Sequence, residues 1–255
     1  MTKVEFSDDY ICDEALRIVT EAEKEQVLLR LFGACAFRIH CSERRDLFDR
    51  FERHLSDIDF VTYKRMAPDK LELYFRKMGF KSPVHYVWHA DTRQMFDNDA
   101  GLHVDVFRGD VQFCHTISFE GRLEQDFPTI PLAEMLLEKL QIVRITEKDM
   151  KDIAVLFVEH DVGASDKETI NAKRIAGVMA DDWGFYYTAT KNLEKFKLES
   201  LQALDLNENE VSIIGERIEK ILAAVELEPK STRWKLRARV GTRKKWYNDV
   251  DEVAR

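Results

Sequence analysis

A chain of 255 residues is long for one compact domain and comfortable for two. Its ordinary apolar content and few prolines and glycines exclude a disordered chain, and its longest apolar runs, such as Ile153 to Val158, fall far short of the roughly 20 residues that span a bilayer. The net charge of −8 does not by itself suggest a nucleic-acid binder, but it hides an asymmetry: eight basic residues and no acid lie between Lys230 and Lys245, leaving −16 on the remainder.

The first residues, Met-Thr-Lys-Val-Glu-Phe-Ser-Asp-Asp, lack the form of a signal peptide. Cys12, Cys35, Cys41 and Cys114 show no CxxC spacing and read as reduced thiols of a cytoplasmic protein. Asp9 or Asp13 caps an expected first helix running to about Arg30. Leu31-Phe32-Gly33 is a short apolar run ending in glycine, and the turn there leads into a second helix from Ala34 to about His40, with its N–H groups facing the turn. Ser42 to Arg53 is highly charged and reads as helical or exposed. Asp57 to Tyr63 alternates polar with apolar residues, as a strand does. Pro68 opens a helix that Gly79 closes. Val84 to His89 is β-rich, Asp97-Asn98-Asp99-Ala100-Gly101 is a turn signal, and Leu102 to Phe107 is a strand. Gly109-Asp110 then turns the chain into Phe113 to Phe119.

From Pro131 the pattern becomes helical. Pro131 to Leu140 is one helix, and Thr146 with Asp149 three residues on begins another. Gly163-Ala164-Ser165-Asp166 is the linker candidate. Further helices are expected over about Lys167–Met179, Asp182–Leu198 and Glu208–Val225. The domains predicted are therefore 1–163 and 164–255, the second helical with a basic tail.

Three Asp-x-Asp pairs occur, and context separates them. Asp97-Asn98-Asp99 sits in a turn and Asp249-Val250-Asp251 in a charged tail, so both read as solvated loop acids. Asp57-Ile58-Asp59 opens a strand, which projects both carboxylates from one face while Ile58 and Phe60 enter the core. Two acids held side by side repel unless a cation neutralises them. On a second strand Val104 and Val106 point inward, so His103 and Asp105 point the other way. Three carboxylates converging from neighbouring strands suit a pair of magnesium ions with phosphates completing their shells.

Gly33-Ala34, then Asp57-Ile58-Asp59 after a basic segment ending at Arg53, then Val104-Asp105-Val106, resembles the nucleotidyltransferase superfamily related to polymerase beta. Leu136 to Leu140 and Lys148 to Ile153 resemble the segment after the third acid in its compact bacterial members, which include abortive-infection toxins and antibiotic nucleotidyltransferases. The resemblance covers about residues 28 to 160. It implies an α+β fold, a mixed sheet flanked by helices, followed here by the C-terminal helices. It further implies that Asp57, Asp59 and Asp105 hold Mg2+ or Mn2+, and that Asp105 helps deprotonate an acceptor hydroxyl. Gly33 and Ala34 would let backbone approach the triphosphate, and Lys139 would reach a phosphate as a point charge. The activity implied moves a nucleoside monophosphate from a nucleoside triphosphate, such as ATP, to a hydroxyl of RNA, a tRNA end or a small molecule. A toxin-type relative would also have an antitoxin partner.

The chain departs from that pattern at Ala34 and Cys35, where Gly or Ser followed by Ser or Thr is usual. A thiol is a weak donor. Ser56 could supply the missing hydroxyl to the nucleotide or be a plain turn residue. The departure keeps a second class open: a nucleotide- or RNA-binding module of the same fold without turnover. Other residues carry paired readings. His103 either orients Asp105 or is a satisfied histidine at the sheet edge. His85 and His89 would share a strand face as zinc ligands or be unrelated. Cys35 is a nucleophile only with a positioned base, and otherwise a small buried residue. Lys148, Lys151 and Asp152 are a polar helix near nucleotide or a solvated face, with Asp152 alternatively buttressing Lys139. Trp234 and Trp246, interleaved with the basic tail, either meet RNA or anchor the tail on the acidic body.

Overall fold

The computed structural model describes residues 6–83 and 92–250. In chain order the elements are α1 (Asp8–Lys24), β1 (Arg30–Phe32), α2 (Gly33–His40), α3 (Arg45–Arg50), β2 (Ile58–Thr62), α4 (Pro68–Lys77), β3 (Phe80–Lys81), β4 (Arg93–Asn98), β5 (His103–Arg108), β6 (Val111–Gln112) and β7 (Thr116–Ile117). They continue as α5 (Leu132–Leu140), α6 (Glu147–Glu159), β8 (Val162–Gly163), β9 (Ile170–Asn171), α7 (Ala172–Asp181), α8 (Trp183–Lys195), a π-turn over Phe196–Ser200, α9 (Leu201–Ala203), α10 (Glu208–Leu227) and α11 (Thr232–Val240). The expected segment Val84 to His89, with His85 and His89, lies outside the described residues. Among the described residues, no helix is long and apolar enough to cross a membrane.

The fold is α+β: a mixed sheet with helices on it, then helices only. The chain divides into two compact units. The first holds residues 1–45, 52–111 and 118–131; the second holds 46–51, 112–117 and 132–255. The expected boundary after residue 163 therefore falls inside the second unit. The reason is packing. Every residue of α5 is buried, and its partners include α6, α7 and α8. Of the linker candidate Gly163-Ala164-Ser165-Asp166, Gly163 lies in a short strand, where it pairs in parallel with Asn171.

The first unit is built on a five-stranded sheet of order β1-β2-β5-β4-β3. β2 and β5 are parallel, and the other neighbours are antiparallel. One face is the core: Ile58, Phe60, Val104, Val106 and Phe96 are all buried. Phe75 of α4 stacks on Phe96 with ring centroids 4.2 Å apart. Pro68 stands first in α4, where its missing N–H costs nothing. The first helix begins before both expected caps, Asp9 and Asp13, because Ser7 is its cap, and it stops at Lys24. Arg30–Phe32 is instead a strand paired with β2.

The second unit surrounds α5. Asn192 Nδ2 donates to the Leu140 and Ile142 carbonyls at 2.9 and 2.8 Å, closing the C-terminal end of α5. Arg174 Nε donates to the fully buried Glu134 at 2.8 Å. Thr146 and Asp149 form the expected capping box of α6. Arg50 joins Glu210 of α10 at 3.1 Å, which is why 46–51 belong with the helices.

The tail is anchored on this unit by its own aromatics. Trp246 Nε1 donates to Thr188 Oγ1 at 3.0 Å, and its ring meets Tyr187 edge-on at 5.0 Å. A Cβ at Gly184 would lie 2.4 Å from the Trp246 carbonyl, so only glycine admits this approach. Trp234 sits edge-on to Tyr186 at 5.2 Å.

His115 completes the anchor. Its Nε2 lies 2.8 Å from Thr188 Oγ1. That hydroxyl also accepts from the Trp246 indole, so both rings are held on one side chain. Burial pushes the His115 pKa down to about 4. The unfolded chain takes this proton near pH 6.5, so between about pH 6.5 and 4 the unfolded state binds more protons. Stability is therefore full above pH 6.5 and falls through that window, by up to about 3 kcal/mol. Denaturant melts of the chain at pH 7 and pH 4.5 are expected to show the loss, and His115→Gln is expected to remove this component of it.

Candidate active site

The site is built on the sheet face opposite the aromatic core. Register does most of the work. Asp59 of β2 is paired with Asp105 of β5 across the parallel ladder and with Phe32 of β1 across the antiparallel one. Side chains at paired positions share a face. One carboxylate oxygen from each of Asp57, Asp59 and Asp105 lies within 4.8 Å of the others. Asp57 and Asp59 are half-buried and Asp105 is 0% exposed.

Gly33 is placed by the same register, directly after Phe32. Its φ is +68°, and a Cβ there would stand 2.4 Å from Asp59 Oδ2. The glycine thus serves two needs: a left-handed turn into α2 and backbone approach to a carboxylate. The N-cap residue of α2 is Phe32, whose side chain cannot cap it, and no acid lies in its first turn. Gly33→Ala is expected to cost about 1–3 kcal/mol in a denaturant melt, because the added Cβ must displace Asp59.

The other expected residues separate. Ala34 is the second residue of α2 and half-buried. Ser56 is exposed and its Oγ donates to Asp57 Oδ1 at 2.8 Å, so it orients a carboxylate. Cys35 is buried beside Cys12 of α1, and that neighbour together with burial raises its thiol well above the usual range. It has the character of a small core residue rather than a nucleophile. Lys139 belongs to the second unit, where its Nζ meets Asp152 at 2.9 Å and Asp149 at 3.1 Å. The lysine is 8% exposed. Burial works against its charge, but Asp152 and Asp149 more than offset this and hold the ammonium above its ordinary value. Asp152 buttressing Lys139, one of the two readings of that residue, is what the structure shows; Lys151 instead pairs with Glu147 along α6.

Two residues complete the acid cluster. Arg93 of β4 has no counterpart in the sequence reading. Its Nε donates to Asp105 Oδ1 at 2.9 Å and its Nη2 to Oδ2 at 2.5 Å. The guanidinium rests 5.3 Å from the Phe107 ring centroid. His103 lies with Nδ1 2.7 Å from Asp97 Oδ1 and Nε2 3.4 Å from Asp105 Oδ1. The hydrogen bond to Asp105 dominates in raising the His103 pKa to about 9, with Asp97 adding to it against burial. Burial alone would raise Asp105, but His103 and Arg93 outweigh it and hold the carboxyl below its usual range. Asp105 is ionised, and both its oxygens face the Arg93 fork. Taking an acceptor's proton requires an oxygen turned elsewhere.

A divalent cation fits this donor set. The donors are hard carboxylate oxygens close enough to share an ion, and a glycine leaves backbone room beside one of them.

No protein-family model matches the chain, and no curated protein matches it by sequence. Among solved structures, the chain is similar to an antigenic nucleotidyltransferase-like protein from Paracoccidioides brasiliensis. The match covers 90% of this chain and 98% of that one, at 11% identity and a TM-score of 0.41.

Proposed function

We propose that the chain is a metal-dependent nucleotidyltransferase. It moves a nucleoside monophosphate from a nucleoside triphosphate to a hydroxyl acceptor and releases pyrophosphate. The observation that carries this reading is the meeting of Asp57, Asp59 and Asp105, the last two on adjacent parallel strands and Asp57 just before the first of them, with the Gly33 backbone pressed against Asp59. Asp57 and Asp59 would hold Mg2+ or Mn2+. The ion, when bound, neutralises phosphate charge and polarises the phosphoryl oxygens. The chain's own residues supply alignment: Ser56 fixes Asp57, and Gly33 opens the approach to Asp59. In the transfer, the acceptor oxygen bonds to the α-phosphorus, the bond to pyrophosphate breaks, and the hydroxyl proton leaves to a base.

RNA, including a tRNA end, is the acceptor class that the basic C-terminal segment favours. Lys235, Arg239 and Lys244 are exposed on and after α11. Trp234 and Trp246 pack on the helical unit instead of standing free. Contact with RNA would therefore run through phosphates and fall steeply with salt. A small-molecule hydroxyl acceptor and an antitoxin partner of toxin-type relatives belong to the same reading.

A binding module without turnover is the second reading. The Arg93 fork on Asp105 favours it, as does the absence of a hydroxyl at Ala34 and Cys35. Incubation with each of the four labelled triphosphates, magnesium and total cellular RNA or small acceptors separates the two. Acid-stable label in an acceptor supports transfer. Measured nucleotide binding with no label in any acceptor supports the module.

A further inference from the structure

The second unit contains a cavity of about 370 Å3, walled by α11, the residues that follow it and the start of α8. This is the small end of the roughly 300–1,000 Å3 of ligand pockets, so it suits one compact molecule or the end of a longer one.

Three kinds of group line the cavity. Arg233, Arg237 and Lys245 bring positive charge, Asp181 and Asp182 bring carboxylates, and Trp246 and Tyr247 bring half-buried rings. Arg237 is fixed. Its Nη1 donates to the Gly241 carbonyl at 2.7 Å and its Nη2 to that of Lys244 at 2.8 Å, and the guanidinium lies 4.9 Å from the Trp183 ring centroid. The other two cations are loosely held. Arg233 lies 3.5 Å from Asp182 with its side chain 73% exposed, and Lys245 pairs with the exposed Asp249. Exposed pairs of this kind contribute little, so they yield to a phosphate, which a guanidinium binds through two parallel hydrogen bonds. Asp182 is engaged elsewhere as well: its Oδ1 accepts from the Gly184 and Phe185 N–H groups at 2.7 and 3.1 Å. His115 also lines the cavity and is only 4% exposed. Its Nε2 meets Thr188, and its Nδ1 has no hydrogen-bond partner among the described residues. A buried ring nitrogen at a cavity wall is completed by a ligand atom or a water.

A bare anion would use the cations and be repelled by the acids. A nucleotide uses all three kinds of group: phosphate on Arg233 and Lys245, ribose hydroxyls donating to a carboxylate, and the base against a ring. We propose that this cavity binds a nucleoside monophosphate unit, free or at the end of an RNA strand. The site is apart from the acid cluster, so the inference stands whether or not the chain transfers nucleotide.

The test is calorimetric titration of the full chain, without divalent ions, using AMP, adenosine, inorganic phosphate and a short 5′-phosphorylated oligoadenylate. AMP is expected to bind at least about tenfold tighter than adenosine or inorganic phosphate. Arg233→Gln with Lys245→Gln is expected to weaken AMP binding at least about tenfold; both side chains are exposed, so the variant is expected to melt with wild type. Oligoadenylate binding tighter than AMP assigns the site to a strand end, and weaker binding assigns it to a free nucleotide; either supports the inference. No binding at millimolar AMP overturns it. So does adenosine or inorganic phosphate binding as tightly as AMP, because the cations or the rings then contribute nothing. AMP binding that survives Arg233→Gln with Lys245→Gln overturns it too. If Asp57→Asn with Asp59→Asn then removes that binding, the nucleotide sits at the acid cluster and the transfer reading is left in place.

Discussion

A double variant, Asp57→Asn with Asp59→Asn, is expected to lose nucleotidyl transfer by at least about 10³-fold while melting no lower than wild type. The two halves of this result have one cause. The nearest carboxylate oxygens lie within 4.8 Å. At an effective dielectric near 20, two unit charges that close repel by about 3 kcal/mol, and the partial exposure of both side chains reduces this to about 1 kcal/mol. Asp59 is pressed by the Gly33 backbone, which limits how far it can move away from its neighbour. Asparagine keeps the shape and removes the charge, so the melting temperature is expected to rise by about 2–4 °C. Transfer falls because an amide cannot replace an ionised oxygen as a ligand to magnesium. Calorimetry beside the labelled-triphosphate assay reads both quantities. Retained transfer with lowered stability would make the two acids structural.

The sequence exposed the acids for a simple reason. Strand side chains alternate with period two, so Asp57-Ile58-Asp59 and His103-Val104-Asp105 each announce their own face. Register is different. Asp59 meets Asp105 only because β2 and β5 are parallel neighbours, a pairing between residues far apart in sequence. Arg93 is harder to place from sequence, because the run before the Asp97–Gly101 turn alternates only briefly. The signal was present: a turn cluster between Arg93-Gln94-Met95-Phe96 and the next alternating run is a hairpin pattern. The domain boundary escaped for the opposite reason. Gly163-Ala164-Ser165-Asp166 has the composition of a linker, but composition says nothing of what α5 packs against. The tail shows the same limit. Interleaved rings and cations fit both RNA and self-docking, and only the position of Thr188 beneath Trp246 assigns that ring to docking.

Lys139 gives the sharpest division between what a motif implies and what packing imposes. Lys139→Met is expected to destabilise the helical unit by about 3–5 kcal/mol. The methionine would fill the space of the lysine stem, so no large cavity forms. The cost comes from the partners. Asp152 is 0% exposed and Asp149 already closes the capping box with Thr146. Removing the ammonium takes from two buried carboxylates the cation that lies within ion-pair distance of both. Adding Asp152→Asn to Lys139→Met is expected to recover part of the loss, because the two substitutions remove one ion pair together. Denaturant melts of the single and double variants measure this coupling. A phosphate-binding lysine predicts another pattern: stability close to wild type, a raised KM for triphosphate, and no recovery from Asp152→Asn. With Nζ lying 2.9 Å from Asp152 and 3.1 Å from Asp149, the first pattern is the expected one.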